Sequence, residues 1–289
     1  MNPQMLESLN KSLVDLDSTD SYAKVMIYGE SGVGKTVAAL QIAQAICPAG
    51  KSILYIDAVE GWVSLKNHPG LTDNVVRMEY QGLSQLDALV EALETEESFK
   101  RFGVIVTDEL STFAKIDLDR VLETRSKKDP TKDPDVPTQP DFFANTERVR
   151  RATLKMFKFP VHQIHLAHVR DDKDEKQRVM IRPDFMPKVS KSIREGLHVL
   201  AYMTANERQQ NGTPVYVRAL QTHPTNRVNA KSRVGGLGIH CTVSDFIETL
   251  VQWLQGNVET VEVQDIVEDT SDSIVRETDD PTSVAIQVD

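Results

Sequence analysis

The 289-residue chain is short of cysteine, of long apolar runs and of basic charge, and each shortage removes a class of protein. Two cysteines, Cys47 and Cys241, make neither a disulfide framework nor a zinc knuckle, so both read as packing residues in a reducing compartment. No apolar run approaches the roughly 20 residues of a membrane span. The opening stretch, "MNPQMLESLNKSLVDLDSTD", has neither a basic leader nor a cleavable apolar segment, which points to the cytoplasm and away from a membrane. No repeat recurs at the periods of solenoids or propellers.

A net charge of −10 argues against a nucleic-acid partner until its location is found. From Gly256 to Asp289 stand ten acidic residues and one basic, a net of −9, which leaves −1 for everything before. That tail has no aromatic residue and only dispersed Val and Ile, too little apolar surface to offset the entropy of ordering, so it reads as disordered. It is either a solubilising end or an acidic mimic of nucleic acid or docking peptide.

Ahead of the tail, strand and helix patterns alternate. "AKVMIY" is an apolar strand, and Val37, Leu40, Ala43 and Ile46 recur behind it at helical spacing. Between them lies Gly29-Glu30-Ser31-Gly32-Val33-Gly34-Lys35-Thr36, which fits G-x-x-x-x-G-K-[ST] in the strand, loop, helix context the motif requires. Glycines let backbone N–H groups turn inward around phosphates, and the helix N-terminus adds partial positive charge. Lys35 is expected to reach the β- and γ-phosphates of ATP and Thr36 to ligate Mg²⁺.

"SILYIDAV", the periodic "SQLDALVEALETEES" and the apolar "FGVIVTDE" follow, the last ending in Asp108 and Glu109. Asp108 stands where a second P-loop motif puts its Mg²⁺-associated aspartate, at the strand end where ligands collect in open α/β sheets. Hydrolysis also needs a base for water, and two glutamates compete for the role: Glu60, after the second strand, and Glu109. Then come a helix from Leu110 to about Glu123, a proline-rich segment expected to be a mobile loop, and a helix from about Phe142 to Phe159. The strand "VHQIHLAHV" leads into a charged turn, Arg170 to Arg178, with four basic and four acidic residues, neutral overall. A hairpin around "RQQNG" and a helix "SDFIETLVQWLQG", with Ser244 as its N-cap, close the ordered part.

"IYGESGVGKT", "YIDAVEG", "VIVTDELSTF", "IHLAHVR" and "NAKSR" together resemble the shortened RecA-like nucleotide-binding proteins of phages, associated with single-strand annealing. The resemblance covers about Ala23 to Trp253. It implies an α/β P-loop NTPase of RecA-like type, with a mostly parallel central sheet flanked by helices and an antiparallel hairpin at one end. It also implies an ATPase acting on single-stranded DNA in the host cytoplasm, self-associating through ATP-bridged interfaces, with a single-strand-binding protein as a further partner. In RecA-like proteins the glutamate after the second strand activates the water, which favours Glu60; AAA+ ATPases use the Asp-Glu pair, which favours Glu109. A motor or loader of that second kind, acting on protein or duplex DNA, is the alternative, and a small-molecule kinase the third reading.

Three further features follow from the resemblance or bear on it. His162, His165 and His168 look like a metal trio, but strand alternation turns His165 to the opposite face. His168 stands where RecA-like proteins keep a γ-phosphate sensor; the alternative is an ordinary hydrogen-bonded strand-end histidine. Arg148, Arg151, Lys155 and Lys158 form one helical stripe, either a solvated face or a phosphate track, with Phe142 and Phe143 as base-stacking groups. Lys231 and Arg233 resemble the K-x-R pair that reaches a neighbouring subunit's ATP, against a basic loop touching solvent or DNA. The chain thus divides into an amphipathic segment (1–20, with Met5, Leu6, Leu9, Leu13 and Leu16), a core (21–255) and the tail (256–289).

Overall fold

A computed structural model describes residues 21–133, 135–173, 177–185, 187–210 and 213–257. The amphipathic segment and nearly all of the acidic tail lie outside the described residues.

Along the chain run β1 (Lys24–Gly29), α1 (Lys35–Ile46), β2 (Ser52–Asp57), β3 (Val75–Glu79), α2 (Leu83–Thr95) and β4 (Phe102–Asp108). There follow α3 (Leu110–Lys128), α4 (Gln139–Met156), β5 (His162–Lys173), β6 (Val179–Pro183) and α5 (Pro187–Gly196). The hairpin β7 (Val199–Gln210) and β8 (Thr213–Gln221), the short β9 (Lys231–Ser232) and β10 (His240–Cys241), and α6 (Val243–Leu254) complete it. The strands lie in the order β10-β8-β7-β1-β5-β4-β2-β3. From β7 to β3 every pairing is parallel, and β8 and β10 add an antiparallel edge. This is an α/β architecture, a mostly parallel central sheet flanked by helices with an antiparallel hairpin at one end.

The parallel strands are apolar on both faces because helices cover both. Val25 and Ile27 of β1 face the core under α1 and α6, with Leu40, Phe246 and Leu250. Met26 and Tyr28 face the other core, with Phe113 of α3, Val149 of α4 and Ile193 of α5. There Tyr80 and Phe113 stack at 3.7 Å. Each such buried side chain contributes about 1.5–3 kcal/mol of burial free energy. Among the described residues no helix is long and apolar enough to cross a membrane.

Several boundaries differ from the sequence reading. α3 runs on to Lys128, so the proline-rich connection shrinks to residues 129–138, and Arg125 ties it down. Its guanidinium reaches the Asp141 carboxylate and the carbonyls of Asp133 and Val136. α4 starts early because Thr138 and Asp141 form a capping box, the Thr138 N–H donating to the carboxylate at 2.7 Å. α6 is capped by Thr242, not Ser244: the Thr242 hydroxyl accepts from the Asp245 N–H, which Ser244, already inside the helix, cannot do. Sequence reading missed the five-residue edge strand β3, although Val76, Arg77, Met78 and Glu79 alternate apolar and polar, because the run is too short to stand out.

Candidate nucleotide site

β1 ends at Gly29 and α1 begins at Lys35, so the loop between them lies at the C-terminal edge of the parallel sheet. Gly34, just before the helix, has φ 94°, a left-handed conformation that strains any residue with a Cβ. A Cβ there would also fall 2.7 Å from Nε of Arg218, whose guanidinium lies over the loop from β8. Lys35 is buried, and its Nζ donates to the carbonyls of Gly29 and Glu30, both at 3.0 Å. The same ammonium lies 3.3 Å from Oε1 of Glu109.

β4 delivers Asp108 and Glu109 to this edge. Thr36 donates its hydroxyl to Oδ2 of Asp108 at 2.7 Å, and Tyr55 of β2 donates to the same oxygen at 2.6 Å. Burial raises the Asp108 carboxyl above its ordinary range, and the two donors oppose that rise. A hard divalent cation takes oxygen donors, and a buried carboxylate joined to the hydroxyl at the head of the phosphate-facing helix is such a donor pair. Mg²⁺ beside ATP therefore fits Thr36 and Asp108. It would supply charge neutralisation at the β- and γ-oxygens.

Glu109 is 2% exposed. Burial pushes its carboxyl up to about 7, against the pull of Lys35, and its second oxygen contacts Nε2 of His168. His168 is in turn pulled down, first by burial and then by Lys35 and Lys115. β5 lies beside β1, with Gly29 opposite His168, and this adjacency carries the histidine to the loop. Its two companions are elsewhere: His162 Nδ1 accepts from the Ala23 N–H at 3.1 Å, and His165 shares a hydrogen bond with Thr107 at 2.8 Å.

Glu60 reaches the same edge by another route. Asp57, 1% exposed at the end of β2, accepts from Arg77 at 2.8 Å and from the N–H groups of Val59 and Gly61. That carboxylate shapes the turn holding Glu60 at φ 56°. Gly61 is required by contact, since a Cβ on it would stand 2.4 Å from Oδ2 of Asp108. The result is a cavity of about 450 Å³ onto which Lys35, Thr36, Glu60, Asp108, Glu109 and His168 converge.

Arg218 lines this cavity too, with no ion-pair partner among the described residues. Sequence reading missed it, along with Tyr55 and Asp57. "YID" offered a faint signal for those two, whereas nothing near Arg218 marks it, because the β7–β8 hairpin brings it over the loop.

The remaining expected site residues lie apart. Lys231 and Arg233 sit at the other end of the sheet, where β9 pairs the start of β7. Lys231 Nζ donates to the carbonyls of Arg194 at 2.7 Å and Leu197 at 2.8 Å, and Arg233 donates to Glu195 at 3.2 Å. Both cap the C-terminus of α5, where unpaired carbonyls favour cations. The basic stripe of α4 is partly neutralised: Arg148 pairs with the buried Asp117 and Lys155 with Asp87, each at 2.9 Å. Arg151 is exposed, as are Phe142 and Phe143 where the helix begins.

A family model described as an AAA domain matches residues 21–234. No curated protein matches the chain significantly in sequence. Among solved structures it is similar to the flagellar accessory protein FlaH from Methanocaldococcus jannaschii, at 14% identity and a TM-score of 0.37, over 78% of this chain and 91% of that one.

Proposed function

The chain belongs to the AAA domain family, and on that premise we propose that it is an ATPase whose nucleotide state governs binding to single-stranded DNA, in phage recombination or annealing. The observation that carries the nucleotide half is the convergence of Lys35, the Thr36–Asp108 pair, Glu109 and His168 on one cavity. Backbone N–H groups at the start of α1 and the ammonium of Lys35 hold the phosphates; Thr36 and Asp108 hold Mg²⁺. A water in line with the γ-phosphate gives its proton to a carboxylate on the same cavity. His168, in contact with Glu109, reports the γ-phosphate to β5.

The sequence favours Glu60 as that carboxylate, and the geometry supports Glu109 as well. Glu109 adjoins Lys35, and a carboxyl titrating near 7 is matched to proton transfer at neutral pH. That same contact favours the second reading, an AAA-type motor or loader acting on protein or duplex DNA. Self-association through shared ATP, with Arg233 of one copy at the nucleotide of the next, belongs to the first.

Steady-state ATP hydrolysis with and without oligo(dT) tests the choice. Stimulation by oligo(dT) and not by duplex of equal length supports the single-strand reading. Stimulation by duplex alone favours the loader.

A further inference from the structure

Beyond His168, β5 leaves the main sheet and pairs with β6 as a two-stranded ribbon, in which Arg170 stands directly opposite Arg182. Under the ribbon, between α5 and the segment after β8, lies a cavity of about 410 Å³ lined by Arg170, Arg182, Lys191 and Arg194. Nucleotide-site residues contribute nothing to it.

The electrostatics of this concavity are unbalanced. Asp172 is the carboxylate in contact with its cations, 3.4 Å from Arg170 and 3.2 Å from Arg182. Among the described residues Lys191 and Arg194 have no acidic partner; Asn229 accepts from Arg194 at 3.3 Å and holds it toward the cavity. The Nε of Arg182 is buried without a hydrogen-bond partner. Four cations against one carboxylate leave a surplus of positive charge in a pocket, where low-dielectric walls concentrate the field. The charged turn looks neutral when counted along the chain, but Arg182, Lys191 and Arg194 come from outside it.

The remaining lining, including Met180, Pro183, Pro224 and Val228, contains no aromatic side chain. A base would find no stacking platform here, whereas anionic oxygens would find guanidinium and ammonium donors. We propose that the concavity lined by Arg170, Arg182, Lys191 and Arg194 binds the phosphodiester backbone of a single nucleic-acid strand without reading its bases. This deepens the function proposed above and rests on it for the identity of the ligand. His168 and Arg170, two residues apart on β5, point to the same face about 7 Å apart along the strand. The strand that ends at the nucleotide cavity thus continues into the anion site.

The test uses the full chain, fluorescein-labelled oligo(dT) and fluorescence anisotropy across a salt series, with wild type, Lys191→Glu, Lys191→Arg and the paired variant Arg182→Gln/Lys191→Gln. An unshifted thermal midpoint verifies folding. Expected are at least a tenfold loss of affinity for Lys191→Glu, retention for Lys191→Arg, and a log–log salt slope shallower by about 0.7 for each cation neutralised. Unchanged affinity and slope in both charge-altered variants overturn the site. Tripolyphosphate, as competitor and as a calorimetric ligand, separates the two layers. Binding of tripolyphosphate by Lys35→Ala, whose nucleotide loop lacks its ammonium, that is lost on adding Lys191→Glu, with no binding of oligo(dT) by wild type, upholds the anion site and overturns the single-strand reading; binding of neither overturns the site itself.

Discussion

Lys35 shares its ammonium between the carbonyls of its own loop and the buried carboxylate of Glu109, 3.3 Å away. A phosphate brought to Lys35 therefore meets a resident anion. Removing that anion leaves more of the ammonium for phosphate, so Glu109→Gln is expected to bind ATP at least as tightly as wild type. If Glu109 takes the proton from water, turnover falls by 10²-fold or more with KM unchanged or lower. Glu60→Gln in parallel identifies the base: whichever variant keeps ATP binding and loses turnover held that role. Normal turnover in Glu109→Gln would confine that residue to holding Lys35 and His168.

Arg218 gives the second expectation. Its guanidinium lies against Gly34 and faces the cavity without an ion-pair partner, so it is available to phosphate oxygens from within the same chain. Arg218→Ala should weaken ATP binding roughly three- to tenfold, a discount on the ordinary strength of a charge-assisted bond because the residue is exposed. Lysine at 218 should restore part of the loss. Equal ATP affinities for wild type and Arg218→Ala, by equilibrium titration, would count against the assignment.

Protonation supplies a third. Glu109 titrates at about 7 in the fold, so between about 4.5 and 7 the native state holds a proton the unfolded chain has released, and stability falls as pH rises. His165 works the other way. Burial holds it down at about 3, so between about 6.5 and 3 the unfolded chain takes a proton the native state refuses, and stability falls as pH drops. The two slopes oppose each other from about 4.5 to 6.5. Glu109→Gln removes one, so its unfolding free energy should gain on wild type by on the order of 2 to 3 kcal/mol between pH 4.5 and 7.5. Denaturant titrations at several pH values would test this, and parallel curves for the two proteins would refute it.

Legibility in the sequence followed the range of the interactions. The phosphate loop is read from eight consecutive residues because strand, turn glycines and helix start are all local, and Asp108 is read because an apolar strand ends in it. The contact between Glu109 and His168 depends on β4 lying beside β5, an adjacency no local pattern encodes. The stripe on α4 shows why periodicity alone misleads. Spacing placed four cations on one face, but only packing revealed that Asp117 and Asp87, on other helices, occupy two of them. Arg170 is the converse, a residue of a locally neutral turn that tertiary structure places among cations.

Reversing Arg151 on that stripe makes a fourth prediction. Arg148 is held by a buried carboxylate, so Arg148→Glu would face Asp117 and destabilise the α3–α4 contact by on the order of 3 kcal/mol or more. Arg151→Glu meets no such partner and should leave the thermal midpoint unchanged. If Arg151→Glu alone weakens oligo(dT) binding as much as Lys191→Glu, the strand crosses α4 as well as the ribbon. An effect confined to Lys191 leaves α4 a solvated face.

Lys231 and Arg233 separate on the same principle. Lys231 is partly buried and donates to two carbonyls at the end of α5 at 2.8 Å or less, whereas Arg233 is exposed and makes one side-chain bond there, at 3.2 Å. Lys231→Met removes the donor to both carbonyls, which costs about 1–2 kcal/mol and lowers the midpoint by several degrees. Arg233 gives up far less by swinging out, so under the self-association proposed above it is the better placed of the two to reach the nucleotide of an adjacent copy. Arg233→Ala should keep its midpoint and its ATP affinity and lose turnover, because charge on the departing γ-phosphate lacks a cation from across the interface. Mixing Arg233→Ala with Lys35→Ala then restores activity, since some interfaces combine an intact Lys35 with an intact Arg233. A mixture no more active than the sum of its parts, together with a wild-type specific rate independent of protein concentration, would leave both residues as caps of α5 and nothing more.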